Sequence, residues 1–503
     1  MAYEEKPVRP LQGSELFIAG LLLAASNFIV VLDMTIANVS VPHIAGGLAI
    51  SPSEGTYVIT SYAVAEAITV PLTGWLASRF GTLRVFTFAM LMFGVFSMLC
   101  GLANSLGFLV ISRVLQGFAG GPLMPLSQTL LLRIFPKEKQ GAAMGLWAMT
   151  TLIAPVLGPV IGGHISDNWG WPFIFYINIP LAAMAAFLIW KMLQRFETKT
   201  IKAKIDFVGL ALLVTWVAAL QLMLDEGKKL DWFASAEICI LLGVAIIGFI
   251  SFLIWELTQE NPIVDLRVFR HRGFSASVLT ISLAFGAFFG SVVLTPLWLQ
   301  TYMGYTAEWS GLTTCALGML AVIAAPFAAK MSTKFDPRYL VFFGVMWLGL
   351  WTFVRSFGTT DMTHWQVSIP MLIQGLGMPF FFVPLTGLAL ASVLEKETAS
   401  AAGLMSFLRT LAGAFATSIV TTSWENEASM YKAELAGKIQ VPPELAQSGA
   451  QGIAMLDQMV QSQAVMLATN HIFLISACTF VFAALAIWFA PKPTRVADTS
   501  SAH

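Results

Sequence analysis

Two ionisable residues lie inside long apolar stretches of this 503-residue chain at matching positions. Asp33 and Arg113 are each about five to six residues from the same end of their stretches, which at ~1.5 Å per helical residue places them at similar depth. An ionisable group at membrane depth costs at least ~2–3 kcal/mol and therefore needs a partner or a function. We expect either a carboxyl group that exchanges protons or a static structural ion pair or helix-end cap.

Glu66 and Arg409 lie about ten residues into their apolar stretches, near the middle. Glu66 is a candidate proton carrier or a receptor for cationic substrates; the alternative is a permanently neutral carboxyl group bonded to a neighbouring helix. Arg409 is a candidate ligand for an anionic group, or it bonds only to backbone carbonyls. We group Asp33, Arg113 and Glu66 as the candidate proton-coupling residues.

The other reactive residue types show no catalytic or metal-binding pattern. The six histidines and four cysteines are scattered without metal-ligand spacing, so no metal site is expected. Neither a nucleophile-elbow motif nor a phosphate-binding glycine motif is present. The sequence predicts no enzyme, no cofactor and no ATP hydrolysis. The energy for any transport must come from an ion gradient, most simply of protons, or from a partner.

The composition is that of a protein surrounded by lipid. Hydrophobic residues make up 57% of the chain and charged residues 11%, against about 45–50% and about 25% in soluble domains. With 28 basic and 28 acidic residues, the net charge is zero, which argues against nucleic-acid binding. The class is an all-α polytopic membrane protein.

Apolar runs of about 20 residues predict fourteen membrane spans. They cover residues 16–38, 56–77, 84–103, 107–131, 142–163, 173–192, 206–224, 236–257, 274–298, 309–330, 338–356, 367–391, 399–423 and 468–490. Of the 28 Lys and Arg residues, 21 fall on the side of the termini and five, including Arg355, on the other. Because cytoplasmic loops carry the excess of basic residues, both termini are predicted to be cytoplasmic.

A repeat within the chain indicates two related halves. Gln116-Gly117 in span 4 recurs as Gln374-Gly375 in span 12, and a dipeptide of span 5 recurs in span 13 at the same offset of 258 residues. Spans 1–6 and 9–14 are therefore predicted to be two six-helix bundles, with spans 7 and 8 inserted between them, as in alternating-access transporters. The predicted domains are a cytoplasmic N-terminus (1–15), a first bundle (16–192), a linker with the inserted helices (193–273), a second bundle (274–490) containing a long outward loop (424–467), and a cytoplasmic tail (491–503).

Polar and aromatic residues within the spans are the candidate lining of an adaptable apolar substrate cavity. They are Gln116, Trp147, Trp298, Phe381 and Arg409. A cluster of Gly and Pro near the outer end of span 5 permits close helix approach and a kink, so it predicts a thin seal or plain tight packing. Its residues are Pro155, Gly158, Pro159, Gly162 and Gly163.

Four motifs in order carry a family resemblance. They are LDMTIANV (32–39), GWLASRFG (74–81), RVLQG (113–117) and APVLGPVIGG (154–163). Together they resemble the major facilitator superfamily, and within it the fourteen-span drug:proton antiporters of the EmrB and QacA type. The resemblance implies a proton-coupling role for Arg113 and an antiporter motif in span 5. It also implies a cytoplasmic latch formed by Gly74, Arg79, Gly81 and Arg84, although Ser78 stands where the superfamily usually has Asp.

The resemblance implies proton-coupled export of hydrophobic drugs across the bacterial inner membrane. It also implies a tripartite pump with a periplasmic adaptor of the EmrA type and an outer-membrane channel of the TolC type. The segment 424–467, with short amphipathic helices such as 424–435, would suit docking; a lid or a plain connector are the alternatives. Two other functions stay open, namely a narrow exporter of fatty acids or another amphipathic metabolite, and a non-transporting membrane sensor.

Overall fold

The computed structural model describes residues 11–136, 140–198, 200, 205–227, 229–260, 262–332, 334–394, 397–438 and 449–492. These residues form α-helices joined by short turns. The helices are α1 Gly13–Leu48, α2 Pro52–Gly55, α3 Tyr57–Thr69, α4 Thr73–Phe80, α5 Thr82–Gly101, α6 Leu106–Gly120, α7 Leu123–Ile134, α8 Gln140–Asn168, α9 Phe173–Tyr176, α10 Asn178–Leu193, α11 Phe207–Glu226, α12 Ala236–Thr258, α13 Arg272–Thr301, α14 Ala307–Ser332, α15 Pro337–Arg355, α16 His364–Gly375, α17 Gly377–Ala391, α18 Thr398–Lys438 and α19 Gly449–Ala486.

Every predicted span coincides with helix, which confirms the all-α class. Within the described residues, 12 helical segments are long and apolar enough to cross a membrane. The two predicted spans outside this set are 56–77, which is broken into α3 and α4 beside Pro71, and 142–163, which lies within α8. Proline lacks the N–H that a continuous helix needs, which accounts for the first break. The count of fourteen stays a prediction.

The helices form two bundles. In the first, α1 packs on α8 and α10, and in the second, α13 and α15 pack on α19. Gln300 Nε2 at the end of α13 donates to the Val39 carbonyl of α1 at 2.7 Å, so these two helices run in the same direction. We call the face where the described chain ends at Leu11 and Lys492 the terminal face, and the other the opposite face.

The inserted helices α11 and α12 pack on each other, and α11 also contacts both bundles through α3 and α18. Outside the membrane, Lys229 Nζ lies 2.6 Å from Glu54 Oε1, and this hydrogen bond lowers the pKa of Glu54 below its ordinary value. The inserted pair is therefore fixed against the opposite face of the first bundle.

The predicted outward loop is mostly helical. Instead of short helices such as 424–435, α18 continues without a break to Lys438, and α19 begins at Gly449. No Gly or Pro interrupts 414–436, so nothing in the sequence stops the helix at the membrane surface. We call the parts of α18 and α19 that lie beyond the predicted spans, residues 424–438 and 449–467, the stalk. Lys432 Nζ and Asp457 Oδ1 join its two helices at 2.9 Å.

Candidate functional site

The structure brings Asp33 and Arg113 into direct contact inside the first bundle. Arg113 Nη1 on α6 lies 2.6 Å from Asp33 Oδ2 on α1, and each side chain is 1% exposed. Gln116 Nε2 donates to Asp33 Oδ1 at 3.2 Å, and Asn178 Nδ2 on α10 donates to the same oxygen at 2.6 Å. The two carboxyl oxygens of Asp33 thus accept from three donors on two other helices. We call these four residues the Asp33 cluster.

The position of Arg113 is fixed by further contacts. Its Nε donates to the Val58 carbonyl of α3 at 2.9 Å, and its Nη1 donates to Gln116 Oε1 at 2.7 Å. The guanidinium also lies 4.3 Å from the centre of the Tyr62 ring. A buried ion pair is stable only when its remaining polar atoms are satisfied in this way. A proton can therefore reach Asp33 only after part of this packing opens.

A central cavity of about 350 Å³ lies between the two bundles. Its lining is mostly apolar and aromatic, and its two ionisable residues are Glu66 from α3 and Arg409 from α18. Among the described residues Glu66 Oε2 has no hydrogen-bond partner, and the Arg409 guanidinium lies 5.5 Å from the centre of the Phe285 ring. The cavity thus offers one carboxyl and one cationic group within an apolar wall, which suits hydrophobic or amphipathic ligands.

The structure places two of the predicted lining residues on this wall, Trp147 and Arg409. The other three lie elsewhere. Gln116 belongs to the Asp33 cluster, Trp298 borders a second cavity inside the second bundle, and Phe381 is fully buried while its neighbour Phe382 lines the wall. Depth along a helix can be read from span boundaries, but the face that a residue presents cannot, and these three predictions were wrong for that reason.

The Gly and Pro cluster, for which a thin seal or plain tight packing was predicted, lies where α8 passes between α1 and α14. A Cβ on Gly158 would overlap the Thr35 hydroxyl, and one on Gly163 would overlap the Ala307 carbonyl. From the other side, a Cβ on Gly311 of α14 would overlap the carbonyl of Pro159. Gly162 packs likewise on Ile36 of α1, and Pro155 lines the cavity beneath. We call this contact the α8–α14 seam.

Asp167 completes the seam at the opposite face. Its carboxylate accepts hydrogen bonds from the backbone N–H of Ala307 at 3.1 Å and of Glu308 at 2.7 Å. A carboxylate at the start of a helix satisfies free N–H groups and opposes the positive end of the helix dipole. The two bundles are thus joined at the opposite face by backbone contact and a cap.

The architecture has counterparts among known proteins. A family model described as Major Facilitator Superfamily matches residues 23–417. The chain belongs to the major facilitator superfamily. It is 43% identical to the multidrug export protein EmrB of Haemophilus influenzae over 98% of this chain and 99% of that protein. It is 42% identical to EmrB of Escherichia coli K12, covering 96% and 97% of the two chains.

A further relative is the fatty acid resistance protein FarB of Neisseria gonorrhoeae, 41% identical over 96% of this chain and 98% of that protein. Among solved structures, an inward-facing, unoccupied bacterial homologue of the human lysosomal transporter Spinster has a TM-score of 0.65 at 14% identity, covering 96% of this chain and all of that one. This likeness concerns the fold alone. As a superfamily member with these apolar helices, the chain is a multi-pass membrane transporter.

The superfamily loop between α4 and α5 folds onto its own bundle. Gly81 adopts φ +98°, which favours glycine. Glu197 accepts hydrogen bonds from the backbone N–H of Leu83 and Arg84, each at 3.0 Å. Of the predicted latch residues, Gly74 and Arg79 are exposed, and Arg84 lies 3.8 Å from Glu197. Glu197 was missed because it lies over a hundred residues away in the sequence.

Asp225 joins the inserted helix to both bundles of this superfamily fold, a role the sequence did not reveal. Its Oδ2 accepts from Thr60 of α3 at 3.2 Å, its Oδ1 accepts from Gln221 at 2.8 Å, and Ser418 of α18 donates to the same oxygen. Tyr57 also donates to its backbone carbonyl at 2.5 Å. An acidic residue at the end of an apolar run was the available signal, but it also fits an exposed loop.

Arg355 was counted among the basic residues on the side opposite the termini, and it does lie at that end of α15. Its side chain is turned into the second bundle, where the residue is 8% exposed. Gln374, the repeat of Gln116, lies beside Arg355 as Gln116 lies beside Arg113, but Arg355 comes from α15 and the residue that repeats Arg113 is Met371. Counting basic residues at span ends cannot distinguish such an inward side chain from a solvated one.

Replacing Asp225 with Ala is expected to loosen the opposite face. The change leaves the buried Thr60, Gln221 and Ser418 without their shared acceptor, and each such loss costs ~1–3 kcal/mol. Spin labels at Ser53 and Ser429, one on each side of α11, should show a larger share of long distances. Glu237→Ala, an exposed carboxylate on α12, is the control and should leave the distances unchanged. Identical distances in both variants would show that Asp225 does not hold the bundles together.

Proposed function

We propose that this transporter exports hydrophobic drugs in exchange for protons. The observation that carries the proposal is the Asp33 cluster, a buried carboxyl group paired with Arg113 beside a cavity that is closed at one face. Its full-length relatives named multidrug export proteins support drugs as the substrate class. The likeness of the chain to EmrB also supports a place in the bacterial inner membrane.

The charge distribution supports cytoplasmic termini, so the opposite face would be periplasmic and the structure inward-facing. In this state Asp33 is charged, and the cavity is free to load drug from the cytoplasm. After reorientation, the Asp33 cluster opens towards the periplasm, Asp33 takes a proton, and the drug leaves. Return to the inward state re-forms the three donor contacts with Asp33 and thereby expels the proton.

The stalk supports an assembly beyond the membrane. It extends the two helices past their predicted spans and exposes Met430, Ile453, Met455 and Met459. Adaptable methionine side chains of this kind suit protein contacts. A periplasmic adaptor of the EmrA type, with an outer-membrane channel of the TolC type beyond it, is the partner we propose for this surface. Cross-linking from Met455 in cells that contain the adaptor should capture it, and cross-linking from Phe187 on α10 should not.

The test of drug export uses everted inner-membrane vesicles that contain the full chain. Respiration acidifies the lumen, a dye reports the acidity, and hydrophobic drugs are then added. Drug-dependent loss of lumenal acid is expected, because drug entering the lumen is exchanged for protons leaving it. A purely sensory protein would give no flux with any compound. The likeness to FarB makes fatty acids the second substrate class, and a response to fatty acids alone would replace the multidrug assignment.

Glu66 and Arg409 carry opposite charges at the cavity, so their neutral variants should change the export of cationic and anionic compounds in opposite ways. Glu66→Gln should lower the export of cationic drugs about tenfold and leave anionic compounds unchanged, since a charge contact in a partly dry site is worth at least ~1.4 kcal/mol. Arg409→Gln should do the reverse. Export rates for a matched cationic and anionic pair measure both. If Glu66 instead carries the coupling proton, Glu66→Gln will abolish the export of every substrate.

A further inference from the structure

A second cavity of about 510 Å³ lies inside the second bundle near the opposite face. It is formed by the end of α13, the end of α15 with the turn that follows, the start of α16, and α19. The side chains that matter here are Arg355, Phe357, Trp365, Ile369 and Phe473. This volume lies within the range of about 300–1,000 Å³ typical of small-molecule sites. None of its lining residues lines the central cavity.

Arg355 is the one charged residue in this lining. Its Nη2 donates to Thr295 Oγ1 at 2.6 Å, and its Nη1 donates to Gln374 Oε1 at 3.2 Å. Its guanidinium lies 4.3 Å from the centre of the Phe473 ring. Both hydrogen-bond partners are neutral, so two of the five N–H groups are bonded and the positive charge is not neutralised.

The contrast with the first bundle is direct. Arg113 has Asp33 as its counter-charge, whereas no carboxylate among the described residues forms an ion pair with Arg355. A buried arginine without a counter-charge is costly, and the cost is recovered when an anion binds. The second bundle therefore sets a buried arginine from α15 beside the repeated glutamine Gln374, with no carboxylate paired to it among the described residues.

The rim of this cavity is apolar and accessible. Phe357 is 69% exposed, Trp365 is 68% exposed and Ile369 is 48% exposed. In a membrane transporter, exposed aromatic and aliphatic side chains near the end of a span lie against lipid. A ligand entering here would pass its polar group inward to Arg355 and keep its hydrocarbon part among apolar side chains.

We propose that this cavity binds the carboxylate of a single-chain amphiphile such as a long-chain fatty acid, with Arg355 as the anion ligand. A planar guanidinium matches a carboxylate through two parallel hydrogen bonds, and Arg355 retains N–H groups that are not bonded to any described residue. The apolar rim suits a hydrocarbon chain. The site lies wholly within the second bundle, so binding there does not depend on transport through the central cavity.

The experiment measures binding of radiolabelled palmitate to the full chain in nanodiscs of zwitterionic lipid, with hexadecanol of equal chain length as competitor. Palmitate should bind about tenfold or more tightly than the alcohol, the size of effect expected for a charge-assisted pair. Arg355→Gln should remove this preference, and Arg355→Lys should keep part of it. Ile369→Trp fills the rim and leaves Arg355 in place, so it should weaken the binding of both ligands. This variant tests the site if the Arg355 variants do not fold.

Three results would overturn the proposal. One is equal binding of palmitate and hexadecanol by the unchanged protein. Another is a preference that survives in Arg355→Gln but disappears in Arg409→Gln, which would place the ligand in the central cavity. The third is complete displacement of palmitate by a small molar amount of anionic diacyl phospholipid, which would identify a membrane lipid headgroup as the occupant.

Discussion

Asp33→Asn is expected to abolish proton-coupled transport while the transporter stays folded. Asparagine has nearly the shape of aspartate and can still accept a hydrogen bond, but it cannot take up or release a proton. Drug-dependent proton flux in everted vesicles should fall at least ~100-fold, the scale seen when an essential proton-transfer group is lost. Binding of a neutral drug in the central cavity should stay within a few-fold of normal, because Asp33 does not line that cavity.

The neutral substitution also leaves Arg113 without its counter-charge, so a lower melting temperature is expected alongside the loss of flux. Removing one member of a buried ion pair costs ~3–5 kcal/mol. The double change Asp33→Asn with Arg113→Gln should restore much of this stability without restoring flux, which separates coupling from folding. Asp361→Asn, an exposed carboxylate near the opposite face, is the control. Normal coupled exchange by Asp33→Asn would remove Asp33 from the mechanism.

The second large effect is expected at the α8–α14 seam. In Gly311→Ala, the added Cβ overlaps the carbonyl of Pro159, and because both atoms belong to helices, one helix must move. Overpacking of this kind costs ~1–3 kcal/mol in the sealed state only, which shifts the balance between the two orientations by about 5- to 150-fold. Spin labels at Asn168 and Trp365 should show the opposite face open in most molecules.

Gly243→Ala is the matched control for this substitution. Gly243 lies in the inserted helix α12, and a Cβ there meets nothing within 4 Å. Alanine is the better helix former by ~1 kcal/mol, so this variant should be as stable as the parent or slightly more stable. If Gly311→Ala gives the same distances as Gly243→Ala, the seam is not what keeps the opposite face closed.

The sequence predicted those features of the fold and site that depend only on position along the helix axis. Span lengths and matched depth brought out Asp33 and Arg113 because the helical rise is nearly constant. The sequence could not give the direction of a side chain around the helix axis, so it predicted neither the position of Trp298 at the second cavity nor the inward turn of the Arg355 side chain. Asp225 was missed because its partners on α3 and α18 lie far from it in the chain.

Because α18 is one unbroken helix, a tilt near the central cavity displaces its far end. Arg409 lies at the central cavity and Lys438 at the end of the same helix. At 1.5 Å per residue the two are about 43 Å apart, so each ~10° tilt of α18 about the cavity moves the far end by ~8 Å. A small rearrangement around a bound drug is thereby amplified into a displacement as large as a side chain, well outside the membrane. A protein bound to that end would be displaced once in every transport cycle.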